Sequence, residues 1–476
     1  MRASLKQTGG APKEDAMETQ LATLAAPESA VGGRLGVGEK FAYGVGNFAE
    51  QMIFNPATMF VVFFYTDVVG IAAATVGTLL LFSRVFDFLG PVMGLVVDRT
   101  HTRYGKGRPW LLWLCVPFGI CTVLAFTVPG LGPTGKIIYA FITYNLALNF
   151  IFVAIDIPYT AMLSLITPDQ QERTSLSIFR MTFSMLGGLI SFAITLPLVK
   201  FFGGGALGWN RSFIVFGVVA VVLFLVCFFG TKERVEPVAP GKAQVPVKVA
   251  ISTLLRNKYW ILMAALGFAL FMMLGLIGSN LYYCRYVLRN VDLFGPLMTM
   301  FQIAVIAGMV SVGPIVKRLG KRRTALLGTG VALVGQGIMF LAPVSFTVVA
   351  IGTVIKGLGF SPLAGTMFAM VADTIEYGEW KHGVRSEGLT FGAVSLATKV
   401  SVGLGGAAVG WILSLGGYVA GAAEQSASTL FAIKLMFLHL PFLMFVIMGL
   451  ILWVYRLDKE YPTIAAELAS RRAAAH

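Results

Sequence analysis

RVFDFLGPVMGLVVDRTHTRYGKGRPW, residues 84–110, sets an arginine and an aspartate three residues apart inside an apolar run. It then breaks into a loop carrying Arg99, Arg103, Lys106 and Arg108, and turns apolar again after Pro109 and Trp110. A charge pair held in an apolar stretch and a basic loop behind it describe a membrane span and its cytoplasmic anchor. The rest of the 476-residue chain agrees: 57% of it is hydrophobic, 13% is charged and the mean hydropathy is +0.79. Soluble domains carry about 25% charged residues, and a run of about 20 apolar residues crosses a bilayer core. Twelve such spans are predicted, near residues 41–66, 71–97, 110–131, 136–166, 175–201, 210–230, 258–287, 294–316, 324–343, 345–372, 387–416 and 428–455.

The net charge of +14 would suggest nucleic acid in a soluble protein, but here the basic residues lie between spans. They gather in the N-terminal segment, the loop after span two, the stretch 231–258 and the loop VKRLGKRR (316–323). All fall on one side, which the positive-inside rule makes cytoplasmic, together with both termini. Residues 1–37 lack an apolar h-region and read as a disordered cytoplasmic tail rather than a signal peptide. Residues 38–230 and 258–457 form two six-helix halves, 231–257 is a Pro-containing cytoplasmic linker, and 458–476 is a cytoplasmic tail. The halves echo one another, with basic loops after spans two and eight and acidic-basic stretches after spans four and ten. Parallel six-helix halves build the major facilitator fold, in which one half rocks against the other around a midplane site. The expected fold class is thus an all-α membrane protein of twelve transmembrane helices in two pseudo-symmetric halves. It is expected as a lipid-embedded monomer of the cell membrane, inner or plasma, with a small-molecule substrate and no nucleic acid.

Ionisable residues inside spans are costly and are functional candidates by default. They are Glu50, Arg84, Asp87, Asp156, Arg180, Lys356, Lys399 and Lys434. Asp87 has Arg84 one turn before it on the same face, which makes it either a cation site or a neutralised structural pair. Asp156 precedes Pro158, where the helix ladder is weakened, and a carboxylate there suits substrate hydroxyls. Glu50 and Gln51 follow a glycine-rich turn of span one, and Glu50 is either a site residue or a partner of Arg180 or Lys399. Lys356 and Lys434 are expected to snorkel. Tyr43, Asn47, Tyr144, Asn145, Asn149 and Tyr159 add donors and aromatic faces nearby. The four cysteines, Cys115, Cys121, Cys227 and Cys284, show no metal or redox spacing and read as packing residues. No nucleophile–base set, metal spacing or nucleotide loop points to an enzyme.

The stretches EKFAYGVGNFAE, YTDVVG, VGTLLLFSRVFD, GLVVDRTHTRYGKGRPW, DIPYTAM and ADTIEYGEWKHGVRSEGLTFG, followed by Lys399, are specific. With them, residues 38–460 resemble the glycoside–pentoside–hexuronide cation symporters, the melibiose permease family. The resemblance implies cation-coupled sugar transport. It implies Asp87 at the cation site, Asp156, Arg180 and Lys399 at or near the sugar, and Gln51 at a sugar-contact position; the residues themselves add Arg84 beside Asp87, and Glu50 and Tyr159 to the sugar site. The basic loop and its counterparts would latch the cytoplasmic side through Asp98, Arg99, Arg103, Arg108, Arg173, Asp373 and Arg385. Departures accompany the match. DFLGP is one residue shorter than the family's Asp, three residues, Asp-Pro, and Gly90 stands where the second aspartate would. Val153 replaces a sodium-associated threonine, Gln51 an acidic sugar contact, and Thr160 and Ala364 aromatic ones. With fewer oxygen ligands, co-transported H+ is expected rather than Na+, with no other cofactor and no bound metal. An alternative is carriage of a lysolipid or other amphiphile on the same fold. A receptor or uncoupled subunit would leave the buried charges unused.

Overall fold

The computed structural model describes residues 35–235, 252, 254–383 and 387–474, and no strand occurs among them. Twelve long helices follow the predicted spans. The first half contains α1 (Val37–Phe63, continued by the wide turn Phe64–Val68), α2 (Ala73–Ser83, Arg84–Phe88, Leu89–Asp98) and α3 (Arg108–Ala125). It continues with α4 (Pro133–Asn145, Leu146–Ile151, Phe152–Ile166), α5 (Gln170–Phe201) and α6 (Gly205–Gly230). The second half contains α7 (Lys258–Gly275, extended to Val287), α8 (Phe294–Leu319), α9 (Lys321–Leu341), α10 (Phe346–His382), α11 (Glu387–Leu415) and α12 (Ala427–Lys434, extended to Val454). Eleven helical stretches among the described residues are long and apolar enough to cross a membrane. The other is α1, whose apolar run is interrupted by Asn47, Glu50, Gln51 and Asn55. Its 27 residues span about 40 Å at 1.5 Å each, enough to cross.

Two features depart from the expected boundaries. α10 runs past residue 372 to His382, and stops at Gly383, whose φ of 68° suits a left-handed cap. The expected C-terminal tail is a helix, α13 (Leu457–Ala474), docked under the second half. Trp380 Nε1 donates to Glu467 at 2.7 Å, and the Tyr259 hydroxyl donates to Glu460 at 2.8 Å. The expected disordered tail 1–34, most of the linker (236–251 and 253) and Arg385 lie outside the described residues.

Within α2, Arg84–Phe88 is wound as a tight 3-10 segment. Five residues at about 120° each turn as far as six α-helical residues at about 100°, and rise slightly farther. The tightened turn therefore absorbs the residue missing from DFLGP, and the rest of α2 keeps its facing.

The halves meet closely at the end of the bundle opposite the termini. α2 crosses α11 on small residues: a β-carbon on Gly77 would lie 2.5 Å from the Ala407 carbonyl oxygen, the close approach typical of membrane helix pairs. Wide turns ending α1 and α7 face each other there. Asp67, from the first, is buried and accepts from Arg285 Nη1 at 2.9 Å and from the Tyr418 hydroxyl at 2.7 Å. Burial pushes the Tyr418 phenol above its ordinary range, and Tyr282 and Asp67 push it further, so it stays protonated and donates. The hydroxyls of Thr66 and Tyr282 lie 2.7 Å apart, Lys200 pairs with Asp292 at 2.5 Å, and Trp411 Nε1 donates to Thr78 at 3.1 Å. Each of these contacts joins one half to the other.

At the end carrying the termini, the described ion pairs each fall within one half or between the first half and the start of the linker. Lys40 meets Glu172 at 2.7 Å, and Arg234 meets Glu39 at 2.7 Å. Glu233 accepts from the backbone N–H groups of Lys106, Gly107 and Arg108 at 2.7, 2.9 and 2.7 Å. Lys321 pairs with Asp373 at 2.6 Å.

Candidate substrate and cation site

Two clusters of polar side chains occupy the middle of the bundle. The first lies where α2, α4 and α11 approach. The tight turn of α2 puts Arg84 Nη1 3.8 Å from Asp87 Oδ2, and Arg84 Nη2 donates to the Tyr144 hydroxyl of α4 at 3.1 Å. Asn149 fastens the same region by donating to the Ser83 carbonyl at 3.1 Å and to Asn145 Oδ1 at 2.7 Å. The stem of Arg84 lies directly over Gly403 of α11, where any side chain would collide with it. Lys399, one turn earlier on α11, sends its ammonium to Gly90: Nζ is 3.7 Å from the place a β-carbon would take. Glycine before Pro91 thus leaves room for a cation where the expected pattern has a second carboxylate.

The second cluster is built by α1, α4, α5 and α6. Arg180 of α5 donates to Thr160 Oγ1 at 2.9 Å and stands 3.6 Å from Asp156 Oδ1. Thr160, one turn after Asp156, donates back to Asp156 Oδ1 at 3.4 Å. The side chains of Asp156 and Arg180 keep 34% and 20% of their surface exposed. Lys399, from the other half, reaches in beside Gly90 and lies within electrostatic range of Asp156, across the space between the halves. Behind it, Tyr159 stacks on Tyr43 with ring centroids 4.8 Å apart. Each hydroxyl donates to the other's carbonyl, at 2.6 Å from Tyr159 and 3.3 Å from Tyr43. Arg180 lies over the Tyr159 ring, 5.3 Å from its centre.

The structure thus brings Arg84, Asp87, Asp156, Arg180 and Lys399 together and sets the other expected residues differently. Tyr159 is fully buried beneath Arg180 and does not line the open surface. Glu50 is 1% exposed and its Oε2 accepts from Asn47 Nδ2 at 2.7 Å, behind the surface that faces the space. It forms an ion pair within 4 Å with neither Arg180 nor Lys399 among the described contacts. Gln51 lies against α5, its β-carbon 3.2 Å from the place a β-carbon on Gly187 would take. Lys356 does not snorkel: its ammonium sits between the rings of Phe301 and Phe437, at 5.7 and 5.4 Å. Phe301 and Phe437 belong to α8 and α12, so the charge is satisfied sideways, inside the second half.

The expected latch is not assembled from its predicted members. Asp98 is placed at the end of α2, and Arg99 and Arg103 are exposed, with Arg103 donating to the neighbouring Tyr104 hydroxyl. Arg108 donates to the Phe228 carbonyl at 2.7 Å, and Arg173 to the Thr167 carbonyl at 2.8 Å. Both satisfy the free carbonyls that end α6 and α4. Asp373 is taken by Lys321 of its own half. The halves join at the opposite end, which leaves these charges partners only on their own side. Sequence reasoning missed Thr160, which links Asp156 to Arg180, and the pair Asp67–Arg285. The first read as a lost aromatic, and the second lies at span ends, where charge attracts no notice.

Residues 42–459 match the sequence model of the family described as MFS/sugar transport protein. The chain is similar to the isoprimeverose transporter of Lactiplantibacillus pentosus, with 37% identity covering 91% of this chain and 92% of that one. It is also similar to the putative glycoside/cation symporter YagG of Escherichia coli strain K12, with 35% identity covering 92% and 95%. Among solved structures, it resembles an inward-facing, unoccupied bacterial homologue of the human lysosomal transporter Spinster. That match has a TM-score of 0.59 at 14% identity, covers 90% of this chain and 97% of that one, and bears on the fold alone. This multi-pass membrane chain, a transporter by fold and family rather than an enzyme, belongs to the glycoside–pentoside–hexuronide family of MFS sugar transport proteins.

Proposed function

We propose that the protein is a proton-coupled symporter of a sugar or glycoside, working by alternating access from the cell membrane with both termini in the cytoplasm. The observation that carries the substrate is the partly exposed array of Asp156, Thr160 and Arg180 on the surface that faces Lys399 of the other half. A carboxylate, a hydroxyl and a guanidinium side by side match the paired donors and acceptors of sugar hydroxyls. The positive charge of the loops at the end carrying the termini supports termini inside. With the halves joined at the other end through Asp67, Arg285 and Tyr418, the molecule stands in an inward-facing state.

The choice of ion rests on the surroundings of Asp87. Sodium gathers several oxygens, whereas Asp87 is flanked by Arg84 and by the Lys399 ammonium at Gly90. Two fixed cations repel a third. A proton needs only one carboxylate, so Asp87 carries the coupling proton, with Arg84 and Lys399 beside its ionised form.

Exchange of a labelled sugar in proteoliposomes tests the substrate class. The panel includes isoprimeverose, other pentosides, hexosides and hexuronides. At least one is expected to exchange, with a severe loss in Asp156→Asn. Exchange of lysolipids and of no sugar would replace the sugar reading with the amphiphile one.

A further inference from the structure

Glu50 has no place in the exposed array, yet it is the most deeply enclosed carboxylate of the membrane region described above. Its Oε2 accepts from Asn47, while Oε1 is buried without a hydrogen-bonding partner among the described residues. The groups around it come from four helices: Tyr43 and Asn47 on α1, Asp156 and Tyr159 on α4, Arg180 on α5 and Cys227 on α6. Arg180 is the one cation in this set, and its guanidinium is engaged elsewhere, on Thr160 and Asp156. An ionised carboxylate enclosed in this way, with no cation in contact and one oxygen unbonded, is strongly disfavoured.

We infer that Glu50 is a second proton-binding site, distinct from Asp87, and that Arg180 couples its occupancy to whatever binds Asp156. The juxtaposition that carries this is a sealed carboxylate with an unbonded oxygen, one helical turn after Gly46 where Tyr159 packs, and an arginine that lies over that same Tyr159 ring at 5.3 Å and 3.6 Å from the partly exposed Asp156. While Glu50 holds its proton on a carboxyl oxygen, Arg180 stays on Thr160 and Asp156, and the array that meets a polar ligand is complete. When the O–H bond of Glu50 breaks and the proton passes to solvent at the open end, the carboxylate left behind draws the guanidinium away from Thr160, and the array comes apart. Reprotonation of Glu50 reverses each step and takes up one proton. Proton and ligand therefore bind together and leave together, as symport requires, and no further reactant is needed. Thr160 is the positioning residue, because it holds Arg180 toward Asp156.

The inference rests on the proton-coupled reading above, but its first test needs no substrate. Infrared spectra of the full-length protein in lipid at neutral pH are expected to show the C=O stretch of a protonated carboxyl. That band should vanish in Glu50→Gln, survive in Asp87→Asn and Asp156→Asn, and shift in Glu50→Asp, which keeps a carboxyl and guards against a folding defect. Arg180→Gln should leave it in place. A spectrum in which Glu50→Gln and Glu50→Asp both leave the band untouched, or in which there is no band, overturns the inference whatever the substrate proves to be. If a panel sugar exchanges, the pH dependence of that exchange should flatten in Glu50→Gln. A profile identical to that of the unaltered protein would contradict the coupling role while leaving the sugar reading intact.

Discussion

Three atoms at Asp156 show how much a single side chain carries. Its Oδ1 faces Arg180 Nη2 at 3.6 Å and Thr160 Oγ1 at 3.4 Å, and the carboxylate is still partly open to the space between the halves. A hydrogen bond to a charged group contributes about 1.5–3 kcal/mol. Asp156→Asn is therefore expected to raise the apparent KM for exchange by roughly 10–150-fold, at about 1.4 kcal/mol per tenfold. Thr160→Val removes a neutral hydroxyl and loosens Arg180, and is expected to cost about 1 kcal/mol, roughly fivefold in the same assay. Equal losses in the two variants would show that Asp156 acts only through Arg180. Most of the charged residues here were legible because charge inside an apolar run has few explanations. Depth along a helix is readable from sequence, but the direction a side chain faces is not. Glu50 and Asp156 look alike as acids within spans, and only packing against Tyr43 and Tyr159 separates the sealed one from the open one.

Among the elements, α2 and α11 are the pair on which the site depends. Gly410 faces the backbone of α2, where an added β-carbon would strike the Ala73 carbonyl and lie 2.7 Å from the Gly77 nitrogen. Backbone cannot move aside as a side chain can, so Gly410→Val is expected to destabilise the protein by about 1–3 kcal/mol. Thermal unfolding in detergent measures this, with Gly392→Val of the same helix, where a β-carbon would meet nothing within 4 Å, as the control. Matching Tm values would mean that the crossing tolerates separation. Spans announced themselves by twenty-residue apolar runs, which is why helix number and order were readable. The 3-10 winding of Arg84–Phe88 was not, because one missing residue in DFLGP predicts equally a rotated helix or a tightened turn. The docked helix α13 escaped notice because it is held by Trp380–Glu467 and Tyr259–Glu460 contacts rather than by an apolar run.

For the molecule as a whole, every described ion pair between the halves lies at one end, and the site opens toward the other. Asp67 is the hub of the closed end, holding Arg285 and Tyr418 at once. Asp67→Asn keeps the shape but removes the charge that Arg285 needs, and should shift the population toward the outward-facing state. Ser279 is fully buried on α7. A cysteine placed there should react several times faster with an external thiol reagent in the Asp67→Asn background than with Asp67 intact. Unchanged labelling would show that the helix crossings, and not this hub, keep the end shut. A sequence contains both members of such a pair but not the conformation in which they meet, which is why the basic loops were read as a latch that this state does not form. The central claim is that a proton gradient drives sugar through the Asp87 and Asp156 site. It is tested most directly by uptake of the exchanged sugar into vesicles under an imposed proton gradient or an imposed sodium gradient, with Asp87→Asn beside the unaltered protein. The account predicts accumulation with the proton gradient, none with sodium alone, and none in Asp87→Asn. Accumulation driven by sodium, or a proton-driven accumulation that survives in Asp87→Asn, would contradict it.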